Sequence, residues 1–271
     1  RHDGVKTALH GHQQCIFIWE IWAQPLSGRR VAGLYHGPNH PLILMPRPIQ
    51  ARIHTDAMRH NLQCIKSRAP DSRVWAVVKA NAYGHGLDAA FEGFRAADGF
   101  ACLNLEEAQS LRAMGWRGPV LLLEGSFDPR DLEVCSRLGL WHVVHHDAQI
   151  DALSAHKTQV PHHVFLKMNS GMNRLGFAPE RFRAAWSRLN ALPQVDEISL
   201  MSHFSDADGP RGIAHQVDTF ARHSADLPGE RSLCNSAGVL RHASAAGISA
   251  RLVAGWAYSR GGGKHSSTAR G

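Results

Sequence analysis

The sequence predicts an α/β protein, a (β/α)8 barrel of the TIM type whose last strand is expected to be incomplete. Three observations lead there. Short apolar runs recur at spacings of roughly 20 to 35 residues, which suits repeated strand–helix units. Runs that are apolar on both faces, alternating with amphipathic helices, imply parallel pairing. One barrel takes roughly 250 residues, and a chain of 271 residues holds one with little left over.

In chain order the first signal is a helix, where Met58, Leu62 and Ile65 form one apolar stripe after Thr55. Strand-like runs then fall at Val74–Val78, Phe100–Leu103, Val120–Leu123, Trp141–Val144, Val164–Met168, Ile198–Met201 and Ser232–Cys234. After the third run, Asp128-Pro129 reads as an N-cap with proline at the first helical position, and Pro179 opens a second such helix. There Phe182, Ala185, Trp186 and Leu189 recur at i, i+3, i+4 and i+7, a stripe able to lie against a sheet. Seven runs favour a barrel over a small open sheet, with an open doubly wound sheet as the alternative. The eighth strand is the one unaccounted for.

Both ends differ from this body. Residues 1–44 mix His, Gln, Gly and Pro without sustained periodicity and read as an unstructured, non-native leader, and Met45 reads like a natural start. The barrel domain is expected over 45–254, followed by a Gly/Ser-rich disordered tail at 255–271.

With 44% hydrophobic and 20% charged residues, the chain has the balance of a soluble protein able to bury a core. No apolar run approaches the roughly 20 residues of a membrane span, and nothing near the start reads as a signal peptide; the expected location is cytoplasmic. The net charge of +7 invites a nucleic-acid reading, but +5 of it lies outside Met45–Arg251, with no dense basic cluster. Nucleic acid is therefore not an expected partner. The cysteines are five in number and contain no CxxC pair, which argues against a zinc site or a disulfide framework. No metal is expected.

The chemistry begins at Lys79, which closes the first strand within Val77–Gly86, the segment VVKANAYGHG. A lysine at the end of a buried strand has lost water, so its amine deprotonates more easily and can attack an aldehyde. In a barrel, catalytic groups belong at the C-terminal ends of strands. Taken alone, Lys79 also reads as a lysine that snorkels at a strand end. Gly84 and Gly86 would let the backbone turn tightly beside a ligand.

VVKANAYGHG closely resembles the cofactor-lysine motif of alanine racemases. Further segments match that family in order: Met45–Pro48 with Arg59–Leu62, then Leu166–Phe177, which is similar to the family's substrate-side loop. Met201–Phe204 and Cys234–Ala237 resemble its ring-stacking and phosphate-binding strand ends. The likeness spans about Met45 to Arg251, and the motifs together weigh far more than any one.

The resemblance implies the cofactor pyridoxal 5′-phosphate (PLP), held by Lys79 as a Schiff base, with the same lysine exchanging the α-proton on one face of the substrate. It implies that His203 stacks on the pyridine ring and that Tyr83 lines the cofactor pocket. Asn235 and Ser236 fall at the phosphate-binding strand end, where unpaired helix amides would serve the same purpose. Arg174 would orient the substrate carboxylate through its planar fork, and Lys167 is the candidate for the carbamylated lysine found in many members. Without the motif, His203 reads as one structural histidine among 19, Ser236 as a plain N-cap and Arg174 as a surface arginine.

The sequence also departs from the family. Members use a second base, a tyrosine delivered by a separate β-domain of the partner subunit in a homodimer, and nothing here matches that domain. Where the last barrel strand should carry Arg-Pro-Gly-Ile-x-Leu-Tyr-Gly, the chain reads ARLVAGWAYS, so Arg251 and Tyr258 are insecure replacements. The expectation is a truncated or frame-shifted, impaired alanine racemase that interconverts L- and D-alanine, for peptidoglycan or for catabolism. The alternative is a non-catalytic PLP-binding barrel.

Overall fold

Each apolar run becomes a strand, and each intervening stripe a helix laid against it. The computed structural model describes residues 51–158 and 160–242 and, at the last strand, the backbone of 252–255. The expected leader, the tail beyond Gly255, Arg251 and Tyr258 lie outside the described residues; Gly255, expected to begin that tail, is the last residue of a strand. The elements run α1 (Thr55–Arg68), β1 (Arg73–Val77), α2 (Lys79–Tyr83), α3 (Leu87–Gly93), β2 (Gly99–Cys102), α4 (Leu105–Ala113), β3 (Val120–Leu122), α5 (Asp131–Leu138) and β4 (Trp141–Val144). They continue with α6 (Asp147–Ala155), β5 (His162–Lys167), α7 (Pro179–Asn190), β6 (Val195–Met201), α8 (Ala214–Ser224), β7 (Arg231–Ser232), α9 (Ser236–His242) and β8 (Leu252–Gly255).

The strands close into a parallel barrel in sequence order. The eighth strand, missing from the sequence reading, is present: β8 pairs with β1 at four positions, Arg73–Leu252 through Ala76–Gly255. Its other seam is short, because β7 meets β8 only at Ser232–Leu252. The weakness expected at the last strand is thus a weakness of pairing between β7 and β8.

Alternation along the strands divides the buried side chains into two layers. Trp75, Ala101, Leu121, Val143, Phe165 and Met201, one from each of β1 to β6, fill the barrel interior. Their neighbours in sequence point outward, where Val74, Phe100, Val164 and Leu200 meet the helices. The stripes read from sequence supply the other side of that layer: Met58, Leu62 and Ile65 of α1 and Phe182, Ala185 and Leu189 of α7 are buried. Burying each such large side chain contributes roughly 1.5–3 kcal/mol.

Pro179 is the first residue of α7, as expected. The other predicted start is displaced. Asp128-Pro129 does not open α5, which begins at Asp131; Asp128 instead accepts from the Asp131 amide at 2.9 Å in a preceding turn and pairs with the Arg130 guanidinium. An Asp that can hydrogen-bond locally favours a turn as readily as a cap.

Candidate active site

Parallel strands bring all their C-terminal ends to one mouth, and the residues that follow them line a single cavity. Lys79 and Tyr83 come from the segment after β1, Leu103 from the end of β2, and Leu123 and Glu124 from the end of β3. Lys167 ends β5, Arg174 and Leu175 come from the loop beyond it, Ser202 and His203 follow β6, and Asn235 follows β7. Of the residues expected from sequence, Lys79, Tyr83, Lys167, Arg174, His203 and Asn235 therefore share one cavity. Ser236 stands one residue past that lining, as the first residue of α9.

The chain after Lys79 is unusual. Ala80, Asn81, Ala82 and Tyr83 all have positive φ, at 53°, 52°, 52° and 57°. This is one turn of left-handed helix, which costs roughly 1–2 kcal/mol for each residue that is not glycine. The turn folds Tyr83 back so that the Lys79 Nζ stands 5.7 Å from the centre of its ring. Gly84 follows at φ 85° and donates to the carbonyls of Ala80 and Asn81 at 3.2 and 3.1 Å.

The loop that carries Arg174 is pinned at both ends. Phe177 donates to the Lys167 carbonyl and Asn169 to the Phe177 carbonyl, both at 2.9 Å. Gly176 makes this return possible: at φ 124°, a Cβ would stand 2.6 Å from the Asn169 nitrogen. Inside the loop the Asn169 carboxamide oxygen accepts from Gly171 and Asn173 at 3.2 and 2.9 Å. Ser202 donates its hydroxyl to the Met168 carbonyl at 2.9 Å, so Ser170, 2.7 Å away, donates to Ser202. These bonds tie the end of β5 to the end of β6.

Asn235 closes the ring of positioned groups. Its carboxamide oxygen accepts from the Gly238 amide at 2.8 Å, the bond of an N-cap, and its Nδ2 donates to the Phe204 carbonyl at 3.3 Å.

Electrostatics sort the lining groups. Burial, and then the nearby Arg174, lower the Lys167 ammonium to about 8, while Glu124 opposes the shift. Burial also lowers His203 to about 3, with Lys167, Arg174 and Lys79 adding to it, so the imidazole is neutral at any physiological pH. The lining holds the cations Lys79, Lys167 and Arg174 against one carboxylate, Glu124. Such a cavity favours a ligand with negative charge.

Glu124 was not singled out from the sequence, although the rule that selects Lys79 applies to it: it is the polar residue that closes a buried strand. Its backbone is fixed by His145 and Gln149, whose Nε2 atoms donate to its carbonyl at 3.1 and 3.0 Å. Among the described residues, no group of three or more His, Cys, Asp or Glu side chains could hold a metal ion. No helix there is long and apolar enough to cross a membrane.

Residues 53–253 match the family model described as the alanine racemase N-terminal domain. An alanine racemase of Acidovorax sp. (strain JS42) is 74% identical over 198 residues, 73% of this chain and 54% of the relative. That of Paracidovorax citrulli (strain AAC00-1) is 70% identical over 78% of this chain and 57% of its own length. Among solved structures, the biosynthetic alanine racemase from Pseudomonas aeruginosa superposes with a TM-score of 0.69 at 38% identity, covering 75% of this chain and 56% of that one. A histidine racemase from Leuconostoc mesenteroides subsp. sake superposes with a TM-score of 0.65 at 27% identity. The chain spans about half the length of the relatives it matches.

Proposed function

Since the chain belongs to the alanine racemase family through its barrel, we propose that the cavity at the barrel mouth binds PLP and serves the interconversion of L- and D-alanine. The observation that carries this reading is the convergence of Lys79, a neutral His203 and the cations Lys167 and Arg174 in one cavity with a single carboxylate. That donor set fits the group: an amine for the aldehyde, positive charge for a phosphate and a carboxylate, and a flat uncharged ring for a pyridine. Bound PLP supplies an electron sink that acidifies the hydrogen on the substrate Cα.

The protein's own residues do the rest. Lys79 would hold the group through its amine, and that amine would take or return the Cα proton on its side of the substrate. The apolar walls at Val77, Leu103, Leu123 and Met201 keep water from that amine. Arg174 orients the substrate carboxylate with two parallel N–H donors. His203 offers an imidazole face, Tyr83 borders the cofactor, and Asn235 with Ser236 presents the start of α9 to the phosphate. Lys167, lowered to about 8, holds an appreciable neutral fraction, the form that can accept carbon dioxide; the resulting carbamate would place a negative charge beside Arg174. The proton on the opposite face is assigned to a tyrosine in the part of the relatives that this chain does not match, delivered by the partner subunit of a homodimer.

The reading is tested by trapping. The chain mixed with PLP and reduced with borohydride should carry one stable pyridoxyl group, on Lys79, and Lys79→Ala should carry none. Undiminished labelling of Lys79→Ala would remove the assignment. Exchange of the alanine Cα hydrogen for deuterium in the presence of PLP separates a racemase site from a barrel that only binds the cofactor.

A further inference from the structure

We infer that Glu107 is the positioning residue of this site: its carboxylate clasps the left-handed turn after Lys79 to the end of β2, and so fixes where the lysine amine stands. The inference rests on the reading of Lys79 given above. It starts from a cost that no glycine relieves, four successive left-handed residues that are Ala, Asn, Ala and Tyr. Such a segment persists only where its surroundings over-determine it.

Two donors converge on one carboxylate. Glu107 Oε1 accepts from the Asn81 amide at 3.2 Å and Oε2 accepts from the Leu103 amide at 3.1 Å. Asn81 is the middle of the strained turn, and Leu103 is the residue after β2, the neighbour of β1 in the barrel. Glu107 is itself fixed, because its backbone amide donates to the side chain of Asn104, the N-cap of α4, at 3.0 Å. In an ordinary capping box the glutamate three residues on from the cap would return to the cap's own amide. Here it reaches past it, to Leu103 and across to Asn81.

Asn81 passes the constraint onward. Its carbonyl accepts from Gly84 and Gly86, both at 3.1 Å, and its side-chain oxygen accepts from Leu87, the first residue of α3, at 2.9 Å. The turn, α3 and the end of β2 are thereby held as one body, with Lys79 at its root and Tyr83 at its tip. Two acceptor oxygens facing two N–H donors require a carboxylate. Glutamine offers one acceptor and turns an NH2 toward the other amide, and aspartate is one methylene short.

Hydrogen exchange on the unaltered, ligand-free chain reads the clasp directly, with the Asn81 and Leu103 amides expected to exchange at least about a hundredfold more slowly than the same amides unstructured. Exchange at the unprotected rate would overturn the inference whatever the variants do. In Glu107→Gln we expect an unchanged melting temperature within a few degrees, loss of protection confined to residues 79–86 and the Leu103 amide, PLP binding at least about tenfold weaker, and a shifted pH midpoint for borohydride trapping at Lys79. A stable variant with unaltered trapping and unaltered exchange would sink the proposal. Ala80→Gly, which relieves part of the left-handed cost at an exposed position, should restore part of the lost affinity in the Glu107→Gln background; no restoration would count against it. Should the unaltered chain fail to trap PLP at Lys79, the reading of the site falls, and the clasp is still judged by exchange alone.

Discussion

The imidazoles of His142 and His162 face each other across the seam between β4 and β5, with Nε2 of the first 3.3 Å from Nδ1 of the second, and both rings are buried. One nitrogen must donate and the other accept, so the accepting ring cannot be protonated at that nitrogen without breaking the pair. Burial, followed for His142 by the neighbouring His162, lowers His142 to about 3 and His162 to about 4. His163, stacked on Trp141 and bonded to Ser199 at 2.9 Å, is likewise lowered to about 4 by burial.

This arrangement predicts acid sensitivity. In the unfolded chain these histidines bind a proton near their ordinary value of about 6.5, whereas the folded chain resists until about 4. Stability is therefore full above about pH 6.5 and falls as the pH drops from there toward 4, by about 1 kcal/mol per histidine for each pH unit. Urea midpoints measured between pH 7.5 and 4.5 should show the fall, and the double variant His142→Leu, His162→Leu should make it shallower. A midpoint constant across that range would contradict the account.

Lys167 extends the same trend to high pH. Its folded value of about 8 lies below the ordinary 10.5, so the buried ammonium carries its full penalty below pH 8 and loses it as the pH rises toward 10.5. Lys167→Met, studied in buffer free of carbon dioxide, should be more stable than the parent by about 1–3 kcal/mol at pH 7. The gap should narrow by pH 10. Thermal melts at the two pH values check it, and a gap that widens with pH would be the wrong sign.

The neutral fraction of Lys167 also predicts carbamylation. In ¹³C-bicarbonate at pH 8, the chain should show a carbamate carbon resonance that is absent from Lys167→Met and lost on acidification. Identical spectra for the two proteins would rule it out.

In the barrel interior, Gly99 lies where a Cβ would overlap the ring of Trp75, which is itself 2% exposed and packed edge-on against Trp141 and Phe165. Gly99→Ala should cost about 1–3 kcal/mol through overpacking, read as a lower urea midpoint with an altered Trp fluorescence. An unchanged midpoint would mean that β2 can move away from Trp75.

Much of the fold was legible because strands buried on both faces leave continuous apolar runs, and the helices against them leave stripes such as Phe182, Ala185 and Leu189. Lys79 was legible twice over, as the polar residue closing such a run and as part of a distinctive segment. β8 was not, since four residues paired mainly through β1 leave too little pattern of their own.

By itself, then, the sequence determined the repeating strand–helix plan and the residues that close the strands, because burial is written into the period of the apolar positions. What only the tertiary structure decided was how those ends meet. Ala80, Ala82 and Tyr83 carry no preference for left-handed backbone, and the clasp inferred for this turn needs the carboxylate of Glu107, twenty-odd residues on, to receive Asn81 and Leu103 together. Glu124 and Glu107 read in sequence as ordinary carboxylates. Likewise, no spacing announces that His142 and His162 share a buried bond. Hydrogen bonds between groups distant in the chain leave no periodic trace, and they become visible only when the barrel has brought the partners within 3 Å or so of each other.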